Sequence, residues 1–500
     1  MNLRPRTTGA PALAAIAVAV PLALGGTLPA AADIMNPTAD TARPAVAPAR
    51  QSTTVAAPVR QSTTAVAPVR QTAVEAAPTA STEAAPTPTA TTAPEIPDTP
   101  AGRQLRWFLD ATTRVPLTVD ELEQHVSAGF LKEVTADGFN QFLKGMSGIR
   151  LDELTRTDPN LLTGTATLAG RRFDVRLTVD ASGKIDGLLI SPSIPPVPGS
   201  WAELDARLRK LAPRTGFLAA EIDRRGRCET VHGVGADTAR PLGSVFKLYV
   251  LGAVADRIHA GGLSWETKLT VTPEVKIPAA DGLGARPDGS TVTVHEAAKL
   301  MISISDNTAA DLLLKTVGRK AVEKKVRRWS GHAERNLPFI TTRELFLLKG
   351  VDYPRHARAY LARDTQGRRA YLRDVVAGLS LSQIKVWEKP RELDTIEWLG
   401  SPRDVCRAYA GLLKRSDERL DEVLSANDAG LGLDRATWPE VWYKGGSEAG
   451  VFDMTFLGRT AKGRTYVVAT LASDTRAPLD QGTVGPEIIS LSRGGFSLVR

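Results

Sequence analysis

The spacing of apolar and polar positions changes several times along the 500-residue chain. Near the start, "ALAAIAVAVPLAL" is a short apolar run behind Arg4 and Arg6, followed by small residues at Ala30–Ala32. This is the pattern of a cleaved export signal over residues 1–32; the run is too short for a membrane span and is broken by Pro21. Residues 33–99 lose all periodicity. "ARQSTTVAAPVRQSTTAVAPVRQTAVEAAP" repeats roughly every ten residues and holds almost nothing that can form a core, so a disordered or extended tether is expected.

Helical spacing begins near Gly102. "GRQLRWFLDATTR", "TVDELEQHV" (Thr118 and Glu121 in capping-box relation) and "ADGFNQFLKGM" predict three helices. Alternation at period two follows in "GIRLDELTRT", "LLTGTATLAG", "RRFDVRLTVD" and "GKIDGLLIS", with "DASGK" as a hairpin turn. Helices followed by a strand meander predict a small α+β domain over residues 100–195. The proline-rich "SPSIPPVPGS" marks its end.

Residues 196–500 read as one larger α/β domain. A helix ("WAELDARLRKL") and a strand ("TGFLAAEID") come first, then a mostly helical middle, then strands in "EVWYKGG", "VFDMTFLGRT" and "TYVVATLASD". Early and late strands around a helical middle predict one central antiparallel sheet flanked by helices.

The formal charge is +8, all of it carried by residues 101–500. The densest stretch, "RKAVEKKVRRW" (319–329), reads as the solvated face of a helix, and no nucleic-acid partner is expected. The six histidines are scattered, without a His-x-His or His-Glu-x-x-His pair, so no metal and no other cofactor is expected. Cys228 and Cys406 fall in a strand-like and a helix-like context. An exported protein can pair them, but a domain of this size needs no bridge, and they are expected to stay unpaired. The expected protein is a secreted or wall-associated monomer that does not stay inserted in a membrane once the signal is removed.

Three short stretches carry chemistry. In "PLGSVFKLYV", Ser244 and Lys247 stand three apart at the head of an apolar helix, so the amine can reach the hydroxyl. Serine is a poor nucleophile until a base takes its proton, and a buried lysine can be that base. The same spacing recurs at Ser382 and Lys385, but in a polar, proline-containing context. In "SISDNTAADLLLKTVG", Ser305, Asp306 and Asn307 suit a helix start; Ser305 can also relay a proton and Asn307 can hold an amide. In "WYKGGSEAG", Lys444 at a strand end precedes two glycines that let another backbone come close. The backbone N–H groups of Ser244 and Ser447 can together hold an oxyanion.

In this order the three stretches resemble the serine β-lactamase and penicillin-binding protein superfamily, class A-like in "SVFKLYVLGAV" and "SDNTAADLLLKTVG". The resemblance implies a β-lactamase-like fold. It also implies a nucleophile at Ser244, a base at Lys247, a proton relay at Ser305 and carboxylate binding at Lys444, with Asn307, Gly446 and Ser447 on the substrate. Two departures stand out. Lys-Gly-Gly replaces the usual Lys-Thr-Gly, and no intact Glu-x-x-Leu-Asn loop supplies a deacylating glutamate. Glu388 and Glu392 in "EKPRELD" and Glu344 in "TTREL" are the candidates for that task.

The longer middle segment ("LPFITTREL", "YPRHARAYL") and the small N-terminal domain resemble a two-domain group. The cephalosporin-esterase-like protein of the clavulanic acid gene cluster belongs to it. That group joins an NTF2-like (steroid-isomerase-like) domain to a β-lactamase-like one. The resemblance implies an exported serine hydrolase acting through an acyl-enzyme on β-lactams or related esters, including a cephalosporin 3′-acetyl ester, with Tyr443 and Met454 lining the pocket. A wall D,D-peptidase shares the same motifs. A protein that binds β-lactams or wall peptides without turnover is the non-enzymatic alternative.

Overall fold

The structure, a computed structural model, describes residues 94–500 apart from Pro278, Ala280 and Ser416. The export signal and nearly all of the expected tether lie outside the described residues. The N-terminal helices are α1 (Pro100–Ala111), α2 (Val119–His125), α3 (Ala128–Glu133) and α4 (Ala136–Gly145). Each starts at a threonine or serine whose side chain accepts a backbone N–H of the first turn, as Thr118 does from Glu121 at 3.2 Å. Spacing alone predicts three of them; α3 is too short to show a period.

The four strand-like runs form β1 (Arg150–Asp158), β2 (Leu161–Leu168), β3 (Arg171–Val179) and β4 (Ile185–Pro192), an antiparallel meander in chain order. Alternate residues of β2 turn inward, so Leu162, Ala166 and Leu168 share a core with Phe108, Leu122 and Phe139.

The larger region begins with α5 (Trp201–Leu211), β5 (Arg214–Ile222) and β6 (Cys228–Val234), and ends with β7 (Glu440–Glu448), β8 (Val451–Arg459) and β9 (Thr465–Ser473). These strands form one antiparallel sheet in the order β7-β8-β9-β5-β6, so both ends of the region meet in it. Strand alternation divides the core into two layers. Phe217, Phe456 and Val468 pack with Leu204 and Leu208 of α5 and with Ile488 and Leu491 near the C-terminus. Leu218, Leu457 and Val467 face the opposite way, toward α6 (Lys247–His259) and the helical middle.

That middle contains α7 (Val294–Ser303), α8 (Asn307–Val317), α9 (Arg319–Trp329), α10 (Thr342–Gly350) and α11 (Pro402–Leu413). The basic stretch is α9: Lys324, Arg327 and Arg328 are exposed while Val322, Val326 and Trp329 are buried. Residues Lys247–Ala255 of α6 are all buried, which is why this helix shows no polar face in the sequence. Among the described residues no helix is long and apolar enough to cross a membrane, and no group of three His, Cys, Asp or Glu side chains is placed to hold a metal.

The cysteines correct the expectation. Cys228 and Cys406 form a disulfide across 178 residues of chain. α11 packs over β5 and β6, which brings the two Cα atoms to 6.3 Å. Strand and helix are far apart in sequence, so nothing local announces the contact. Closing so long a loop restricts the unfolded chain most, and Cys406→Ser should lower unfolding free energy by about 2–5 kcal/mol. Denaturant titration of the oxidised wild type against the variant measures this.

Candidate functional site

Ser244 lies in a 3₁₀ turn (Gly243–Phe246) that runs directly into α6, whose first residue is Lys247. The Lys247 side chain is completely buried. Its Nζ is 3.1 Å from Ser244 Oγ, 3.1 Å from Ser305 Oγ and 2.8 Å from Asn307 Oδ1. It also donates to the Ser305 carbonyl. Burial lowers this amine to about pKa 7, against the opposing pull of Asp306 and Asp311.

A neutral amine has two N–H groups and one lone pair. The Ser305 carbonyl and the Asn307 amide oxygen can only accept, so they take both N–H groups. The lone pair is then left for a serine O–H, which is the arrangement a base needs.

Local sequence explains how the second stretch supplies these acceptors. Asp306 is the cap: Oδ1 accepts from Ala309 N–H at 2.8 Å and Oδ2 from Leu283 N–H at 2.6 Å. Ser305 is held at φ 63°, a left-handed conformation that side-chain-bearing residues adopt rarely. That conformation belongs to the turn in which both the carbonyl and Oγ of Ser305 reach Lys247. Asn307 opens α8 on the same side.

The third stretch runs along β7. Lys444 is buried, and its Nζ lies 3.0 Å from Ser305 Oγ and 2.7 Å from the Gly445 carbonyl. Burial, and then the charge of Lys247, hold its pKa well below the usual lysine range. The backbone of Lys444 is pinned from behind, where Thr455 Oγ1 donates to its carbonyl at 2.6 Å.

The two glycines have separate reasons. A Cβ on Gly446 would lie 2.1 Å from the Leu242 carbonyl and 2.9 Å from Ser244 N, so only glycine lets β7 approach the Ser244 turn this closely. The same approach brings Ser447 N to that turn, 2.8 Å from where a Cβ on Gly243 would lie. A Cβ on Gly445 would lie 2.1 Å from the Tyr443 hydroxyl. The tyrosine therefore brings a hydroxyl to the place where a threonine at 445 would carry its own.

A cavity of about 340 Å³ opens in front of these groups, lined by Ser244, Asn307, Tyr443, Lys444, Phe452 and Asp453 among others. A larger cleft, about 780 Å³, lies near the disulfide and is rimmed by Arg328, Arg407 and Arg415. It contains no serine beside a base, so chemistry rather than size singles out the first.

Met454 is not at the cavity; it is buried in the core layer with Phe456 and Ile488. Phe452 and Asp453 line it instead. Asp453, unremarked in the sequence because it sits inside an apolar strand, accepts from Ala472 N–H at 3.0 Å, and burial raises its pKa well above the usual range.

The three candidate glutamates are not brought to Ser244. Glu344 caps α10 through Thr341 and pairs with Arg319 at 2.7 Å. Glu392 accepts from Thr395 Oγ1 at 2.6 Å and from the Tyr353 hydroxyl at 3.4 Å. Glu388 is exposed. Ser382 and Lys385, the second copy of the serine–lysine spacing, are exposed as well. A different carboxylate pair, Glu397 and Glu448, borders a small space behind Ser244. In the sequence both read as ordinary charges, one of them in the turn that follows Lys-Gly-Gly-Ser.

The sheet with its helical layer, and the convergence of serine, lysine and Lys-Gly-Gly at one cavity, define a protein of the serine β-lactamase and penicillin-binding class. The chain belongs to the Beta-lactamase enzyme family, which it matches over residues 202–481. Residues 96–185 match a separate family described as "ORF 12 gene product N-terminal".

Among curated proteins, it is 35% identical over 80 residues to β-lactamase VEB-1 of Pseudomonas aeruginosa (16% of this chain, 27% of that one). It is 32% identical over 98 residues to the β-lactamase regulatory protein BlaB of Streptomyces cacaoi (19% and 31%). The chain thus spans less than a third of the length of these relatives. Similar solved structures include PBP-A (18% identity, TM-score 0.39, covering 61% of this chain and 99% of that one). Another is a β-lactamase from Sphaerobacter thermophilus (18% identity, TM-score 0.40, covering 60% and 97%).

Two outcomes follow from the geometry. The free amine of Lys247 is the basic form, so acyl transfer to Ser244 should rise about tenfold per pH unit below 7 and level off above it. Stopped-flow acylation between pH 5 and 9 checks this. Gly446→Ala should wedge β7 away from Ser244 and slow acylation about a hundredfold, as loss of one oxyanion donor does. The same stopped-flow assay reads it.

Proposed function

We propose that this protein is an exported serine hydrolase that works through an acyl-enzyme on β-lactams or related esters. The observation that carries the reading is the buried Lys247 amine, held within 3.1 Å of both Ser244 Oγ and Ser305 Oγ. Lys247 takes the Ser244 proton while Oγ attacks the substrate carbonyl. The N–H groups of Ser244 and Ser447 hold the oxyanion. Ser305, between the two lysines, passes a proton to the leaving group, and Lys444 attracts the substrate carboxylate. Gly446 and Asn307 face the substrate, and the Tyr443 hydroxyl stands in for the missing threonine.

Export is supported by the charged-then-apolar N-terminus and by the Cys228–Cys406 disulfide, a bond that persists in oxidising compartments. The substrates named for the curated relatives point to β-lactams. A 3′-acetyl ester on a cephalosporin fits the same acyl-transfer chemistry.

Three substrates divide the possibilities. Nitrocefin turnover is expected for a lactamase. Acetate release from a 3′-acetoxy cephalosporin with the ring intact is expected for an esterase. Durable labelling by a fluorescent penicillin is expected for a peptidase or a trap. In each case Ser244→Ala should abolish the signal, and a signal that survives that substitution refutes the nucleophile assignment.

A further inference from the structure

We propose that Glu448 is the general base that activates water to hydrolyse the acyl group from Ser244, with Lys349 and Glu397 positioning it. This deepens the acyl-enzyme reading above and rests on it. Ser244, Asn307 and Ser447 line two cavities. One is the substrate cavity. The other, about 50 Å³, is walled by Phe246, Leu345, Phe346 and Trp398 and contains Glu397 and Glu448. One water needs about 10–15 Å³ and two or more polar partners. The second cavity has that room, and its polar groups are the two carboxylates and the edge of the nucleophile site.

The carboxylates are held from behind. Lys349 of α10 is fully buried, and its Nζ donates to Glu448 Oε1 at 2.8 Å and to Glu397 Oε2 at 3.1 Å. Glu397 uses its other oxygen to accept the Trp398 N–H at 3.1 Å. Both its oxygens are therefore committed, and its side chain is only 1% exposed. Glu448 lines the same cavity and retains 13% side-chain exposure, more than Glu397. Burial and the neighbouring Glu397 raise the Glu448 pKa well above the usual range, against the pull of Lys349, so this carboxylate is a stronger base than a surface one. Burial lowers Lys349, but the two carboxylates outweigh it and the ammonium persists.

The step balances as follows. Glu448 takes one proton from water as the water oxygen bonds to the acyl carbon. The carbonyl π pair moves onto oxygen, held by the N–H groups of Ser244 and Ser447. On collapse the carbon–Oγ bond breaks, and the proton on Glu448 passes to Ser244 Oγ. The products are a free acid and the Ser244 hydroxyl.

The test follows the Ser244 adduct by intact-protein mass spectrometry after rapid mixing of the full chain with nitrocefin, benzylpenicillin or a 3′-acetoxy cephalosporin. Glu448→Gln should form the adduct within about threefold of the wild-type rate and clear it at least about a hundredfold more slowly. In Glu448→Ala, added formate should restore part of the clearance. Clearance at the wild-type rate in Glu448→Gln, or a wild-type adduct that never clears, overturns the proposal while leaving Ser244 as nucleophile. Absence of any Ser244 adduct in the wild type overturns the acyl-enzyme reading itself. Should Glu448→Gln lose acylation too, Glu448→Asp decides: retained acylation with slowed clearance supports the proposal, and clearance at the wild-type rate overturns it.

Discussion

A lysine amine placed wholly inside a protein must either find acceptors for its protons or give one up. Lys247 does both. Its two obligate acceptors, the Ser305 carbonyl and the Asn307 amide oxygen, come from a single tight turn. Burial brings its pKa near neutrality. Most of the site's geometry serves this one group. The first nine residues of α6 are buried on every side, which keeps the amine dry, and Ser305 is kept in a left-handed conformation that brings its carbonyl to bear. Lys444 adds a second buried amine, linked to the first through Ser305 Oγ. Two ammonium ions so close in a low dielectric would repel strongly, and this repulsion adds to burial in holding Lys444 well below the usual lysine range.

The sheet supplies what the helices cannot. β7 brings Lys444 and the Ser447 N–H to the Ser244 turn, and it can do so only because Gly446 leaves room for the Leu242 carbonyl and the Ser244 backbone. One residue beyond Ser447 the same strand carries Glu448 to the other side of the turn, against the buried Lys349. The two lysines are treated oppositely. Lys247 faces neutral oxygen acceptors at hydrogen-bonding distance and is pushed toward neutrality. Lys349 faces two carboxylates and keeps its charge. Equal burial thus yields an amine near neutrality in one case and a persistent ammonium in the other, and the difference lies in the partners.

Much of this was legible from residue order. Period-two runs marked the strands of the N-terminal meander, apolar runs marked those of the central sheet, and the three short stretches around Ser244, Ser305 and Lys444 converge on one cavity as their chemistry suggests. Other features were hidden because their meaning depends on contacts between distant segments. Glu344 looked available for catalysis, yet its sequence also fits a helix cap, and Thr341 and Arg319 take it. Met454 looked like a pocket residue but turns into the core. Phe452 and Asp453, two and one positions earlier, reach the cavity instead.

The sequence by itself determined the strand and helix periods, the serine–lysine spacing on one helix face and the three-stretch order. Each is a local property, fixed by side-chain direction within a few residues. Tertiary structure alone decided the Cys228–Cys406 bridge, the fully buried Lys349 with its two carboxylates, and which glutamates stand near Ser244. These depend on where helices from the middle of the chain settle against a sheet built from its two ends. Burial and partner identity, which set each group's charge, exist only after that packing is complete.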